Sequence, residues 1–452
     1  MSLARTTWVS GPVLRARPEG PFRLREAVTV GDERLLGEVI RIAREEIVVQ
    51  VYEDTSGLRP GVPVHGSGLL VHVRLGPGIL GRIFDGPLRP ISDPQDPFVQ
   101  PGMHDPVPET FRFRPRVAVG DRLEPGQVLG EVQFASEARG DTVQRCLVPP
   151  DVPAGEVLEI ADSGNCSDEE VVCRLADAEG RTAEIALTHR WPVRIPRPVD
   201  RRLAADEPML TGQRILDGLF PVARGGSASI PGGFGTGKTV LLETVAKWCD
   251  ADVIVYVGCG ERGNELAGLL AEFAELEDPR SGRRLLERTV VIANTSNMPV
   301  SAREASIYTG ITVAEYFRDQ GLHVALLADS TSRWAEALRE ISGRLEELPG
   351  EEGFPAYLAS RLATFYERTG QVESLGEPAR TGSVTLVAAV SPPGGDFSEP
   401  VTQASLRLTG TFWALDPELA HARHFPAIGW DRSYSLYVDA LAGWYADTLG
   451  QT

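Results

Sequence analysis

The chain has 452 residues, 42% of them apolar and 24% charged, and a net charge of −18. These fractions are those of a soluble globular protein of roughly two to four domains. The acidic balance argues against nucleic-acid binding by phosphate neutralisation; the apolar runs are too short to span a bilayer, and the first residues lack a signal peptide's apolar core, so a cytoplasmic protein is expected.

Residues 1–70 read as β. Ala27–Val30 and Glu46–Tyr52 are strand-like, with turns at Gly31-Asp32 and Arg59-Pro60-Gly61, a spacing that predicts a small barrel. Residues 71–90 form a connecting segment that contains Gly76–Gly86. Residues 91–195 are dense in proline and turns, with strands expected at Gln127–Val132 and Glu156–Ile160, and are read as a separate β-rich insertion. The five cysteines, among them Cys146, Cys166 and Cys173 in this zone, form no C-x-x-C pair and are expected to be free thiols.

A third region, 196–440, begins with a linker over 196–206 and a short amphipathic helix over Thr211–Phe220. Strands are expected at Ser227–Ile230, Val253–Val257, Thr289–Ala293, His323–Ala328 and Ser383–Val390. Helices are expected at Val240–Lys247, Glu265–Glu275, Ala302–Asp319, Arg333–Glu347 and Pro355–Arg368. Continuous apolar strands alternating with helices predict a parallel sheet covered on both faces.

Between the first of these strands and its helix lies GGFGTGKT, Gly232–Thr239, which matches the phosphate-binding loop G-x-x-x-x-G-K-[ST]. Its glycines let backbone N–H groups turn toward an anion at a helix amino terminus. Only two of the 45 basic residues are lysines, at 238 and 247. An arginine cannot replace a compact ammonium in so tight a loop. The nucleotide-binding residues are therefore taken as Gly232, Gly233, Phe234, Gly235, Thr236, Gly237, Lys238, Thr239 and Val240, with Phe234 expected to pack beneath the loop. Lys238 can reach the outer phosphates, and the Thr239 hydroxyl can ligate Mg²⁺.

Ligands of open parallel sheets sit beyond the carboxyl ends of the strands. There Glu261 is placed to activate the water that attacks the γ-phosphate, and Arg262 to bind phosphate. The alternative is that Glu261 and Arg262 are an ordinary surface pair opening a helix. Asp329, closing an apolar strand, is placed to hold Mg²⁺ through water, or else only to cap the next helix. Phe425, a loop aromatic, is either a stacking partner for adenine or a core residue.

Several long runs resemble one family, the catalytic A subunits of V/A-type rotary ATPases. They are Gln50–Leu58, Gly76–Gly86, GGFGTGKTV at Gly232–Val240, VGCGERGNE at Val257–Glu265, Ala293–Val300, Ala302–Glu346 and Ser391–Pro400. The resemblance implies a multidomain fold: an N-terminal small β-barrel, an inserted β-rich bulge domain and an α/β RecA-like P-loop NTPase domain with a parallel sheet. It implies ATP and ADP as substrates, Mg²⁺ as cofactor, and catalysis by Lys238, Glu261 and Arg262. Thr239 and Asp329 would hold the metal, the latter through water, and Phe425 would line the adenine pocket. It further implies an alternating hexamer with a non-catalytic B subunit, which lends an arginine in trans. Central and peripheral stalk subunits and a membrane sector moving protons or sodium ions would complete the machine, with this subunit cytoplasmic and peripheral to the membrane. The family continues past Ser433–Tyr437 into a helical domain, of which 441–452 would be the start. The shorter sequence raises two expectations besides the motor subunit: a truncated ATP-binding paralogue with an assembly role, or an incomplete sequence. A hexameric nucleic-acid translocase on the same core is disfavoured by the charge, and no nucleic-acid partner is expected.

Overall fold

The computed structural model of the chain describes residues 2–91, 101–102, 108–135 and 142–450. Six strands, Leu3–Ser10, Val13–Pro18, Glu26–Val30, Leu35–Ile42, Ile47–Val51 and Pro63–Leu70, form a closed barrel. It closes where Leu3–Arg5 pair antiparallel with Pro63–His65. Side chains alternate across each strand, and Leu14, Val28, Val39, Val49 and Val64 fill the inside. Both strands expected here are present.

The insertion consists of two four-stranded sheets. Phe111, Phe113, Leu129, Val157 and Leu175 form its core, and Cys146, Cys166 and Cys173 are buried free thiols within it. The strand expectations at 127–132 and 156–160 correspond to Val128–Phe134 and Gly155–Ile160. Residues 92–100, 103–107 and 136–141 of this zone lie outside the described residues. The Arg145 amide donates to Gln320 Oε1 at 3.0 Å, and the Arg380 guanidinium donates to the Gly126 carbonyl at 2.7 Å. These bonds fasten the insertion to the third region.

That third region is a mainly parallel sheet. From one edge its strands run Tyr434–Ser435, Thr411–Phe412, Ser227–Pro231, Thr381–Val390, His323–Asp329, Val253–Glu261, Thr289–Thr295 and Ile83–Phe84. The last long strand in sequence therefore sits in the middle of the sheet, beside the strand that leads into the phosphate loop. The segment 71–90, read as connecting, also carries structure: Ile83–Phe84 extends the sheet, and His72–Leu75 pairs with His189–Pro192. Likewise Arg201–Arg202, within the expected linker, pairs with Gly370–Glu373.

Helices cover both faces. One layer packs Leu241, Leu242 and Val245 of helix Lys238–Trp248 on Tyr256, Val291, Leu327 and Val387. The opposite layer packs helix Val300–Asp319 on Val255, Val257, Ile292, Leu326 and Leu386. This second helix is buried on all sides, from Ser301 to Asp319. Such a helix is normally apolar all round. Here several of its hydroxyls and charges are matched from other parts of the chain. Thr309 Oγ1 donates to the Gly86 carbonyl at 2.7 Å and Thr312 Oγ1 to the Val193 carbonyl at 3.0 Å. Gly86 is needed there, because a Cβ would lie 2.3 Å from the Ala302 carbonyl oxygen. Arg194 bridges Glu304 (2.7 Å) and Glu38 of the barrel (3.1 Å), and Glu38 also accepts from the Tyr52 hydroxyl. Arg368 pairs with Glu315 and Arg197 with Asp319, the latter at 2.6 Å.

Removing one partner of a buried pair leaves the other charged and desolvated. Arg194→Met strips the counter-ion from both Glu38 and Glu304, and is expected to cost about 3–5 kcal/mol. Urea unfolding of the two proteins measures this; an unchanged midpoint would mean that water reaches the pair and the bridge adds nothing.

Candidate active site

The phosphate loop is built by its glycines. Gly235 and Gly237 have φ of 78° and 90°, a region that side chains with a Cβ resist. Gly232 is needed for space, since a Cβ would fall 2.6 Å from Thr236 Oγ1 and 2.8 Å from Leu415 Cβ. The loop is then pinned from within. Thr236 Oγ1 donates to the Gly233 carbonyl at 2.8 Å, and Lys238 Nζ donates to the carbonyls of Gly232 (2.7 Å) and Gly233 (2.8 Å). Helix Lys238–Trp248 begins directly after Gly237, so its unpaired N–H groups face the loop.

Two neighbouring strands bring their last residues to this place. Asp329 ends His323–Asp329 and is 2% exposed. Its Oδ2 accepts from Thr239 Oγ1 at 2.7 Å, which joins the loop's helix to the sheet. Burial pushes the Asp329 carboxyl up, opposed by the Thr239 bond and the Lys238 charge. Glu261 ends Val253–Glu261, which pairs directly with the Asp329 strand. Burial, then the negative charges of Asp329 and Glu265, push Glu261 up to about 8, while Arg333 opposes them. Lys238 is lowered by burial, and the Asp329 and Glu261 charges work against that. One ammonium, two carboxyls and a hydroxyl thus share one partly dehydrated cleft.

Models of the ATP synthase alpha/beta family match three stretches of the chain: the beta-barrel domain at 7–68, the barrel-sandwich domain at 107–194 and the nucleotide-binding domain at 212–435. The first A subunit of the A-type ATP synthase of Methanospirillum hungatei JF-1 is 55% identical over 447 residues, 98% of this chain and 75% of that protein. The chain belongs to the ATP synthase alpha/beta family. The corresponding A subunits of the A-type ATP synthases of Methanopyrus kandleri and Thermococcus kodakarensis are 55% identical over 451 residues and 54% over 449, again across 98% of this chain and about three quarters of each relative. Among solved structures, the ATPase EscN of the enteropathogenic E. coli type III secretion system superposes with a TM-score of 0.68 at 24% identity, over 97% of this chain and 82% of that one, a likeness of fold.

The other expected residues in this family member divide. Phe234 does not pack beneath the loop. It is 91% exposed, and its ring faces the Arg262 guanidinium at 5.8 Å. Arg262 is itself exposed and lies 3.8 Å from Glu265. It caps helix Gly263–Glu275 while Glu261 turns into the cleft, so the two are not a surface pair. Val240 points to solvent on the outer side of its helix, 62% exposed. Phe425 is no core residue: it is 59% exposed, and its ring lies 3.5 Å from where a Cβ on Gly237 would be.

Two residues near the cleft were not singled out from sequence. Glu265 stands in the first turn of helix Gly263–Glu275, within the run VGCGERGNE, and its charge acts on Glu261. Arg333 lies in the first turn of the helix that follows Asp329; its hydrogen bond to Glu336 first, then the charges of Glu336, Glu261 and Glu265, raise its pKa against burial. Their position in the first turns of the helices that follow Glu261 and Asp329 was the available signal. Because the Glu265 charge raises Glu261, Glu265→Gln is expected to lower the Glu261 midpoint from about 8. Isotope-edited infrared titration of the carboxyl reads it, and an unmoved midpoint would leave burial and Asp329 as the whole cause.

Proposed function

We propose that this chain is the catalytic nucleotide-binding subunit of an A-type (V/A) rotary ATPase, which hydrolyses or synthesises ATP in a multisubunit complex coupled to proton or sodium transport. The observation that carries the reading is the Thr239–Asp329 hydrogen bond of 2.7 Å, which ties the phosphate loop to the strand beside Glu261. It supports one cleft that handles both a triphosphate and its attacking water.

The assigned roles follow from the chemistry of each group. Backbone N–H groups of Gly233–Thr239 cradle the β- and γ-phosphates. Lys238 exchanges its two carbonyl acceptors, Gly232 and Gly233, for anionic phosphate oxygens, which are stronger acceptors. Thr239 can offer an oxygen lone pair to a cation while its O–H points at Asp329, so the donor set fits a hard, oxygen-loving ion. Thr239 and, through water, Asp329 would hold Mg²⁺, which would supply positive charge against the negative charge developing on the phosphates.

Glu261 orients the attacking water and accepts its proton. A carboxyl held near 8 is largely protonated at neutral pH, and its basic form grows as pH rises through that value. Arg262, exposed beside Phe234, is free to reach the nucleotide phosphates or a neighbouring subunit. Phe425, next to Gly237, lines the adenine side. The partners are a non-catalytic B subunit in an alternating hexamer, stalk subunits and a membrane sector. Among the described residues no helix is long and apolar enough to cross a membrane. In this reading the ion path belongs to the membrane sector, with this subunit peripheral on the cytoplasmic side. A trans arginine from the B subunit contributes roughly 10³ to 10⁵ in rate.

The test is to mix the chain with its non-catalytic B partner and measure Mg²⁺-dependent ATP hydrolysis. Turnover is expected on mixing and little from the chain alone; nucleotide binding without turnover in every mixture would defeat the motor reading. In the active mixture, Glu261→Gln should keep ATP affinity within about threefold and lower kcat by about 10² or more. Lys238→Ala should lose ATP affinity, and normal binding by that variant would remove the loop from the site.

A further inference from the structure

Tyr256 is used by neither the phosphate-loop pattern nor the strand-end argument. It sits within Val253–Glu261 and is 1% exposed. Its ring lies in the apolar layer beneath the phosphate-loop helix, with Leu242, Val245 and Leu327, and meets Phe273 edge-on at 5.9 Å. Packing alone would be served by phenylalanine. The hydroxyl is the part that requires explanation, because a buried O–H without a partner keeps its full desolvation cost.

Among the described residues that hydroxyl has one partner, Asp329 Oδ2, at 3.4 Å. Thr239 Oγ1 donates to the same oxygen at 2.7 Å. The two donors arrive from different elements, the sheet and the phosphate-loop helix. Asp329 Oδ1 accepts from none of the described residues. Two donors on one oxygen fix the rotation of the carboxylate and leave the other oxygen as the acceptor for a metal-bound water.

We propose that Tyr256 is a positioning residue for divalent-cation binding, its hydroxyl holding Asp329 Oδ2 so that Oδ1 and Thr239 Oγ1 stay aligned toward Mg²⁺. This rests on the reading of Asp329 as a metal-site residue. Tyr256 touches neither nucleotide nor cation; it acts through Asp329.

The experiment titrates the full chain with a fluorescent ADP analogue, in EDTA and at graded Mg²⁺. In the unaltered chain Mg²⁺ tightens binding, and Asp329→Asn abolishes that gain. Tyr256→Phe keeps the ring, so affinity in EDTA stays within about twofold. Its half-saturating Mg²⁺ concentration rises about five- to tenfold, the scale of one typical net hydrogen bond. Phe273→Leu serves as the packing control: it lowers the thermal midpoint and leaves the Mg²⁺ dependence alone. Tyr256→Phe with an unaltered Mg²⁺ dependence overturns the proposal, as does Phe273→Leu shifting it equally. If Asp329→Asn itself leaves the Mg²⁺ gain intact, the metal reading of Asp329 fails, and this inference fails with it.

Discussion

A helix buried on every side that still carries charge is the constraint on which this molecule turns. Val300–Asp319 lies between the sheet, the barrel and the segments that join them, and Glu304, Glu315, Arg318 and Asp319 are all at most 6% exposed. An unpaired charge in that setting would cost several kcal/mol. Its partners come from far apart: Glu304 is answered by Arg194, which also holds Glu38 of the barrel, Glu315 by Arg368, and Asp319 by Arg197. Apolar packing at these places would tolerate small slips of one body against another. Bidentate guanidinium–carboxylate pairs do not. The helix also starts close to the cleft, where Arg303 and Arg333 flank Gly260, the residue before Glu261. The frame that locates the barrel is thereby the frame that locates the strand end carrying Glu261.

The cleft shows how carboxyl groups are kept close without a matching number of cations. Asp329, Glu261 and Glu265 influence one another, and Lys238 and Arg333 are the opposing charges. Burial adds to the repulsion, so Asp329 and Glu261 hold their protons more tightly than free carboxyls do. Lys238 is satisfied inside its own loop by two neutral carbonyls. Neutral carbonyls are weaker acceptors for an ammonium than anionic oxygens, so an anion entering the loop would compete with them.

Much of this was legible in the sequence because it rests on local rules. A glycine-rich turn ending in Gly-Lys-Thr, apolar strands too continuous for a one-sided sheet, and acids at the strand ends gave the loop, the parallel sheet, Glu261 and Asp329. What was not legible depends on three-dimensional placement. Phe234 reads as a residue packed beneath the loop, yet it faces solvent, because where a loop side chain points depends on the folded loop and not on its residue type. The central position of Thr381–Val390 depends on how the chain crosses over the sheet, not on the strand's own residues. Helix Val300–Asp319 carries charges that resemble a solvent face until Arg194, Arg197 and Arg368 are seen against them. Residues 71–90 look like a link because their pairing partners, at 189–192 and 289–295, lie far along the chain.

The charge pairs around that helix also set an order of assembly during synthesis. Glu38 and Tyr52 emerge first and can close the barrel by themselves, since its strand pairings are all internal to residues 3–70. Arg194 follows after the whole insertion, and Glu304 more than a hundred residues later. The last answer, Arg368 to Glu315, waits for a further stretch of chain. Until then the nascent polypeptide holds charged groups whose final neighbours do not yet exist, and they must stay hydrated. The barrel and insertion can thus mature early, whereas the nucleotide-binding domain waits for partners that are made late.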